Sequence, residues 1–212
     1  KFFASLRRII MNKIAIIIPS RLDAQRLPDK PLKLINNKEM ILHVLEAATK
    51  LNIGEVYVAT PDQKIIDVVK KFGGNAIKTS SNHQTGTDRI FEVFKTYLNY
   101  ESDIIINLQG DMPNIDPQVI SKLVFYMSKN KCDIGTLASD FNSNDEIDNP
   151  NVVKVVLNVY GEALYFSRAP IPHSEHTEDY LRHIGLYAYR VDILNKLTAF
   201  PVTHYEKLER LE

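Results

Sequence analysis

The amino-acid sequence predicts an α/β fold: a doubly wound, mainly parallel, Rossmann-like nucleotide-binding sheet with a small β-rich lobe over the site. Three observations predict it. Up to about residue 130, apolar runs alternate with segments of helical period; the connections between them are short; and from Cys132 onward the texture turns β-rich. Strand followed by helix with short links is the pattern of a parallel sheet, whose ligands bind beyond the carboxyl ends of its strands.

The elements follow in order. Lys13 to Ile18 is a nearly unbroken apolar run, as expected of a strand covered on both faces. "EMILHVLEAATKL" then spaces Ile41, Leu42, Leu45 and Ala48 on a helical period. "EVYVAT" reads as a strand, and "PDQKIIDVVKKFGG" as a helix with Pro61 near its first turn and Gly73 and Gly74 as its stop. The short strand "NAIKT", the helix "TGTDRIFEVFKTYL" and the strand "DIIINLQGD" come next, and "DPQVISKLVFYM" is a helix with Asp116 as N-cap and Pro117 at N1. Beyond Cys132, "DIGTLAS", "VVKVVLN", "ALYFS" and "HIGLYAYR" read as strands, with "NVYG" a hairpin-like turn. "THYEKLERLE" alternates like a helix.

Composition narrows the function classes. A chain of 212 residues with 44% hydrophobic content can bury a full core, and residues 11–212 are expected to form one domain. Residues 1–10 are expected to be a non-core arm, because the chain does not begin with Met and Met11 stands just before the first strand. They lack the separate hydrophobic stretch and cleavage site of a signal peptide. Lys plus Arg (26) equals Asp plus Glu (26), so no global basic field favours nucleic acid or an anionic membrane, and any anion must be met locally. The single cysteine, Cys132, excludes an internal disulfide and any CxxC motif and suits a reducing compartment. No apolar run approaches the ~18 residues that span a bilayer.

The loop "PSRLDAQRLPDKP" directly follows the first strand and carries Arg21, Arg26, Lys30 and three prolines, but no glycine. A glycine loop holds phosphate through backbone N–H groups. A proline-rich loop has fewer of them and must use side chains: an Arg as a bidentate fork, a Lys as a compact charge. "LQGDMP" presents Asp111 at a strand's end after Gly110, a common way of offering a carboxylate to Mg²⁺, while Gln109 offers a donor and an acceptor to a base edge. In the β-rich half, Arg168, Arg182, His183 and Tyr187 gather cations and donors suited to a small polyhydroxy acid; in an extended strand His183 and Tyr187 share a face. Lys154 interrupts a buried-looking strand and is expected to need an anionic partner.

Taken together, "IPSRLDAQRLPDKPL", "HQTGTDR", "LQGDMP", "NPNVVKVVL", "ALYFSRAPIP", "LRHIGLYAYR" and "HYEKLERLE" resemble the 3-deoxy-manno-octulosonate cytidylyltransferase family, the CMP-KDO synthetases, collinearly from about Lys13 to the last residue. CMP-sialate synthetases share the first loop and fold, but "YFSRAPIP" and "RHIGLYAYR" look more like the KDO branch; isoprenoid-pathway cytidylyltransferases begin with a glycine-rich loop absent from this sequence. The resemblance implies that the anomeric hydroxyl of KDO attacks the α-phosphorus of CTP with Mg²⁺ required, in a cytoplasmic enzyme of lipopolysaccharide biosynthesis that forms a homodimer. It implies that Arg21 and Lys30, with Arg26 a lesser contributor, hold the triphosphate, that Gln109 lies near cytosine and ribose, and that Asp111 is a metal ligand. Gln84 and Arg89 border the nucleotide on this reading, and Arg168, His183, Tyr187 and Glu212 line the sugar site.

Two departures qualify it. Met112 stands where the family usually has Glu, and the family continues past Glu212 with a sugar-contacting Gln and a second metal-binding Asp, so C-terminal truncation and impaired turnover are expected. Competing readings are an inactive remnant that only binds nucleotide or dimerises, a related CMP-acid-sugar synthetase, and a nucleotide-sugar glycosyltransferase. The last is disfavoured because no DxD motif follows a buried strand at the expected place.

Overall fold

The computed structural model describes residues 13–23, 27–141 and 143–211. The expected arm at 1–10, Arg26 and Glu212 lie outside the described residues. The chain forms two compact units. One comprises the chain up to Gly135 with Leu186–Phe200, the other Thr136–Gly185 with the residues from Pro201 onward.

In chain order the first unit runs β1 (Ile14–Pro19), a 3-10 turn (Lys30–Leu32), β2 (Leu34–Ile35), β3 (Lys38–Glu39), α1 (Met40–Thr49), β4 (Glu55–Thr60), α2 (Gln63–Lys71), β5 (Asn75–Lys78), α3 (Gly86–Thr96), β6 (Ile104–Asn107) and α4 (Pro117–Lys129). After it come β7 (Ile134–Asp140), β8 (Lys154–Leu157), β9 (Ala163–Ser167), β10 (Leu181–Arg190), α5 (Val191–Leu197) and α6 (His204–Glu209).

β1 is buried at every position and is flanked by β4 and β6, parallel to both, with β5 parallel to β4 beyond. This is the doubly wound, mainly parallel sheet expected of continuous apolar runs. Residues 187–190 of β10 close this unit's sheet, antiparallel to β6. Ile16, Ile17 and Ile18 are 0% exposed, and each such side chain contributes about 1.5–3 kcal/mol relative to exposure. Ala15, Ile17, Ile90, Val93, Phe94, Ile105 and Leu194 form one cluster in which α3 and α5 cover this sheet.

Local chemistry sets the element ends. Asp116 caps α4 by accepting from Gln118 N at 2.9 Å with Pro117 at the first helical position, and Thr85 caps α3 by accepting from Asp88 N at 3.0 Å. Asn36 and Asn37, both left-handed at φ 49° and 62°, turn the two-residue hairpin of β2 and β3. Because β1, β4, β5 and β6 run the same way, the loops after Pro19, Thr60, Lys78 and Asn107 all emerge at one edge. β6 stops at Asn107, four residues short of the expected Asp111, so Gln109, Gly110 and Asp111 belong to that edge loop.

In the second unit β8 pairs antiparallel with β9, and Arg182 of β10 lies opposite Lys154 of β8. Phe141, Ile147 and Tyr180 form a small core there, with Val152 packed against it. Among the described residues no helix is long and apolar enough to cross a membrane.

Candidate functional site

The loop after β1 is tied down before it reaches Lys30. Ser20 N donates to Ala59 O at 2.9 Å, extending the β1–β4 ladder by one bond, and Leu22 N donates to Asp62 Oδ2 at 2.8 Å. The 3-10 turn that follows buries Pro31 and is preceded by Asp29 at φ 54°. From this turn the Lys30 ammonium donates to Asp111 Oδ2 at 2.7 Å. The two side chains are 37% and 52% exposed, so the bridge contributes only about 0–1 kcal/mol to stability.

Asp111 reaches this position because of Gly110. A Cβ there would stand 2.9 Å from the Pro19 carbonyl oxygen and 3.3 Å from Ile41 Cδ1, so only a residue without one lets the β6 loop press against the end of β1. Between these loops opens a cavity of about 270 Å³ lined by Arg21, Gln84, Arg89, Gln109 and Asp111, together with Ser20, His83 and the first residues of α3. Lys30 joins the set through its bridge to Asp111.

Three of the lining side chains are held by neighbouring groups. Gln109 Nε2 donates to Oδ1 of the buried Asn107 at 3.3 Å, and Gln84 Nε2 donates to Asn82 O at 3.2 Å. Arg89, only 3% exposed, donates from Nη1 to Thr79 Oγ1 at 2.6 Å and Ser80 O at 2.9 Å. Burial pulls its guanidinium below the usual arginine range and the Arg21 cation adds to that, while Glu92 and Asp62 oppose it. His83 pairs with Glu92, whose carboxylate also accepts from Ser80 N at 2.9 Å. An edge with two guanidinium groups, one of them held by hydrogen bonds, a helix N-terminus and one carboxylate that already holds an ammonium is chemically suited to a polyanion and its counter-cation.

The residues expected at the acid-sugar side are placed as follows. In the second unit, Arg168 donates from Nε to Glu209 O at 2.6 Å, from Nη1 to Pro150 O at 2.7 Å and from Nη2 to Arg210 O at 3.1 Å. His183 meets Phe166 edge-on at 4.7 Å and lies 3.0 Å from Thr136 Oγ1; burial pushes its imidazole down to about 4. Arg182 reaches Glu146 at 3.5 Å. Tyr187, in the first unit, stacks on Tyr189 at 5.8 Å. Lys154 corrects an expectation. Wholly buried, it donates to three backbone carbonyls, Asn149 O at 3.1 Å, Val152 O at 2.7 Å and Arg168 O at 2.6 Å, rather than to a carboxylate. Convergent carbonyl dipoles are its direct partners; burial, the larger effect, lowers its pKa, while the Asp148 and Glu209 charges favour the ammonium.

A sequence model of the Cytidylyltransferase family matches residues 15–212. The chain is 43% identical to a 3-deoxy-manno-octulosonate cytidylyltransferase of Thermodesulfovibrio yellowstonii over 92% of this chain and 82% of that protein. The chain belongs to this family. The 3-deoxy-manno-octulosonate cytidylyltransferase of Escherichia coli is 42% identical over 95% of this chain and 82% of its own length. A solved structure of CMP:2-keto-3-deoxy-manno-octonic acid synthetase complexed with CTP matches with a TM-score of 0.87 and 43% identity, covering 94% of this chain and 83% of that one. A 4-diphosphocytidyl-2C-methyl-D-erythritol synthase of Anaerococcus prevotii, at 15% identity and a TM-score of 0.60, shares the fold.

Two features of this cytidylyltransferase escape sequence reasoning. Asp62 reads as an ordinary helix cap, and only the fold shows its carboxylate on the Leu22 amide. Glu209 accepts from Ser167 Oγ at 2.7 Å, Tyr165 OH at 3.2 Å and Arg168 N at 2.8 Å. It lies inside the quoted "HYEKLERLE", but nothing in that pattern separates it from its exposed neighbours.

Proposed function

We propose that the chain transfers the cytidylyl group of CTP to 3-deoxy-D-manno-octulosonate, giving CMP-KDO and pyrophosphate for lipopolysaccharide biosynthesis. The observation that carries this reading is the Lys30–Asp111 bridge on a cavity lined by Arg21 and Arg89, in a member of a family whose solved relative holds CTP. A bond forms between the sugar's anomeric oxygen and the α-phosphorus as the bond to the departing pyrophosphate breaks, and the hydroxyl proton passes to solvent. The protein's task is to hold the oxygens in line and to neutralise phosphate charge. Arg21 grips phosphate through a fork, Lys30 follows the moving oxygens, and Gln109 addresses the base and ribose. Gln84 and Arg89 frame the nucleotide, Arg89 through a side chain locked by Thr79 and Ser80. Arg168, His183 and Tyr187 are the proposed contacts to the acid sugar.

Asp111 is the described residue that would hold Mg²⁺, and its chemistry fits. Mg²⁺ keeps several waters and takes one or two carboxylates plus substrate phosphates, which is what a half-exposed carboxylate beside a cationic cavity offers. Among the described residues no group of three or more His, Cys, Asp or Glu stands ready for a metal, so Asp111 would hold the ion together with water and substrate phosphate. Bound there, the ion supplies charge neutralisation on the phosphates.

A homodimer in the cytoplasm completes the proposal. Val159, Tyr160, Leu164, Tyr205 and Leu208 of the second unit are 63% exposed or more, apolar surface that a second copy can cover. The test is pyrophosphate release with CTP, KDO and Mg²⁺, beside UTP and beside each omission. Release that requires all three and prefers CTP is expected. None in their presence overturns the reading.

A further inference from the structure

Asp62 occupies the N-cap position of α2, yet its side chain makes no bond to that helix. An Asp there ordinarily accepts from the backbone two or three residues on. Its Oδ2 instead takes the amide of Leu22, 40 residues away, at 2.8 Å, while its own N–H donates to Thr60 Oγ1 at 3.2 Å. Leu22 immediately follows Arg21, and Ser20, immediately before it, is tied to Ala59 O. The backbone on both sides of Arg21 is therefore fastened to the carboxyl end of β4, and only the side chain is left to project. Asp62 does not line the cavity, but its charge acts on Arg89 in opposition to that of Arg21.

We propose that Asp62 is a positioning residue for the Arg21 guanidinium: by holding the Leu22 amide it fixes the direction in which Arg21 leaves the loop. This rests on the reading of the cavity as the triphosphate site.

Asp62→Ser tests it, because a serine suits the N-cap position of α2 but is one atom too short to hold Leu22 N. Asp62→Asn is the rescue, since its amide oxygen can still accept. The readout is calorimetric titration of each variant and the wild type with CTP and with CMP. Loss of aim at the phosphates weakens CTP binding by about tenfold or more in the Ser variant, weakens CMP binding markedly less, and leaves the Asn variant within about threefold of wild type. Equal losses for CTP and CMP, or a Ser variant that binds CTP as the wild type does, overturn the proposal. A wild-type protein that binds neither nucleotide overturns the reading of the cavity itself.

Discussion

Lys30 Nζ stands 2.7 Å from Asp111 Oδ2, across 81 residues of chain. The two arrive from different strand ends, β1 through a proline-stiffened loop and β6 through a glycine pressed on Pro19. The ammonium satisfies the carboxylate at the point where the two loops meet.

Lys30→Ala and Asp111→Asn are therefore expected to leave the melting temperature nearly unchanged, because an exposed pair is worth only about 0–1 kcal/mol. Pyrophosphate release should fall by about 10²-fold or more in each, the scale of losing one preorganised charge at a reacting phosphate. Parallel melting and turnover measurements decide it; a large melting shift with intact turnover would make the bridge structural.

Gly110→Ala places a methyl group 2.9 Å from the Pro19 carbonyl oxygen, a backbone atom with little freedom to retreat. The expected cost is about 1–3 kcal/mol of stability, with weaker CTP binding because Asp111 moves with the loop. Chemical denaturation and nucleotide titration of the same variant check both parts.

His183 gives a pH dependence with a defined sign. Burial lowers its pKa from 6.5 to about 4, so between those values the unfolded chain binds a proton that the folded protein refuses. Its contribution is fully present above about pH 6.5 and declines as the pH falls toward about 4. Urea midpoints at pH 7 and pH 4.5 should differ less in His183→Gln than in the wild type.

Lys154→Met removes one donor from three carbonyls in the second unit at once, of which Asn149 O keeps the Val152 amide at 3.0 Å. Leaving such groups without a donor is expected to cost about 2–4 kcal/mol, read as a lower denaturation midpoint. A neutral outcome would show that the freed carbonyls find water.

The sheet was legible because fully buried parallel strands write themselves as apolar runs; Ile14–Ile18 and Ile104–Ile106 are plain examples. Arg21, Lys30, Gln109 and Asp111 were legible as an edge constellation because strand ends fix where loops emerge. The β2–β3 hairpin was not, since two-residue strands are too short to show a period and its signal is the left-handed pair Asn36–Asn37. Lys154 and Arg168 were incompletely read for one reason: their side chains donate to backbone carbonyls, which every residue carries and no pattern marks. The Asp62 tether was not legible because an aspartate before a helix is also the ordinary cap residue, and nothing in the sequence separates the two uses.

The helix α6 buries no residue. It is fastened by the capping box at Thr203, by the Arg168 guanidinium on the Glu209 and Arg210 carbonyls, and by the Glu209 carboxylate on Ser167 and Tyr165. An element stitched on by polar threads answers to ionic strength and denaturant sooner than one sealed by oil-like contact. Amide protons in 204–209 should therefore trade with solvent through small local openings, while those of β1 wait for the whole molecule to come apart.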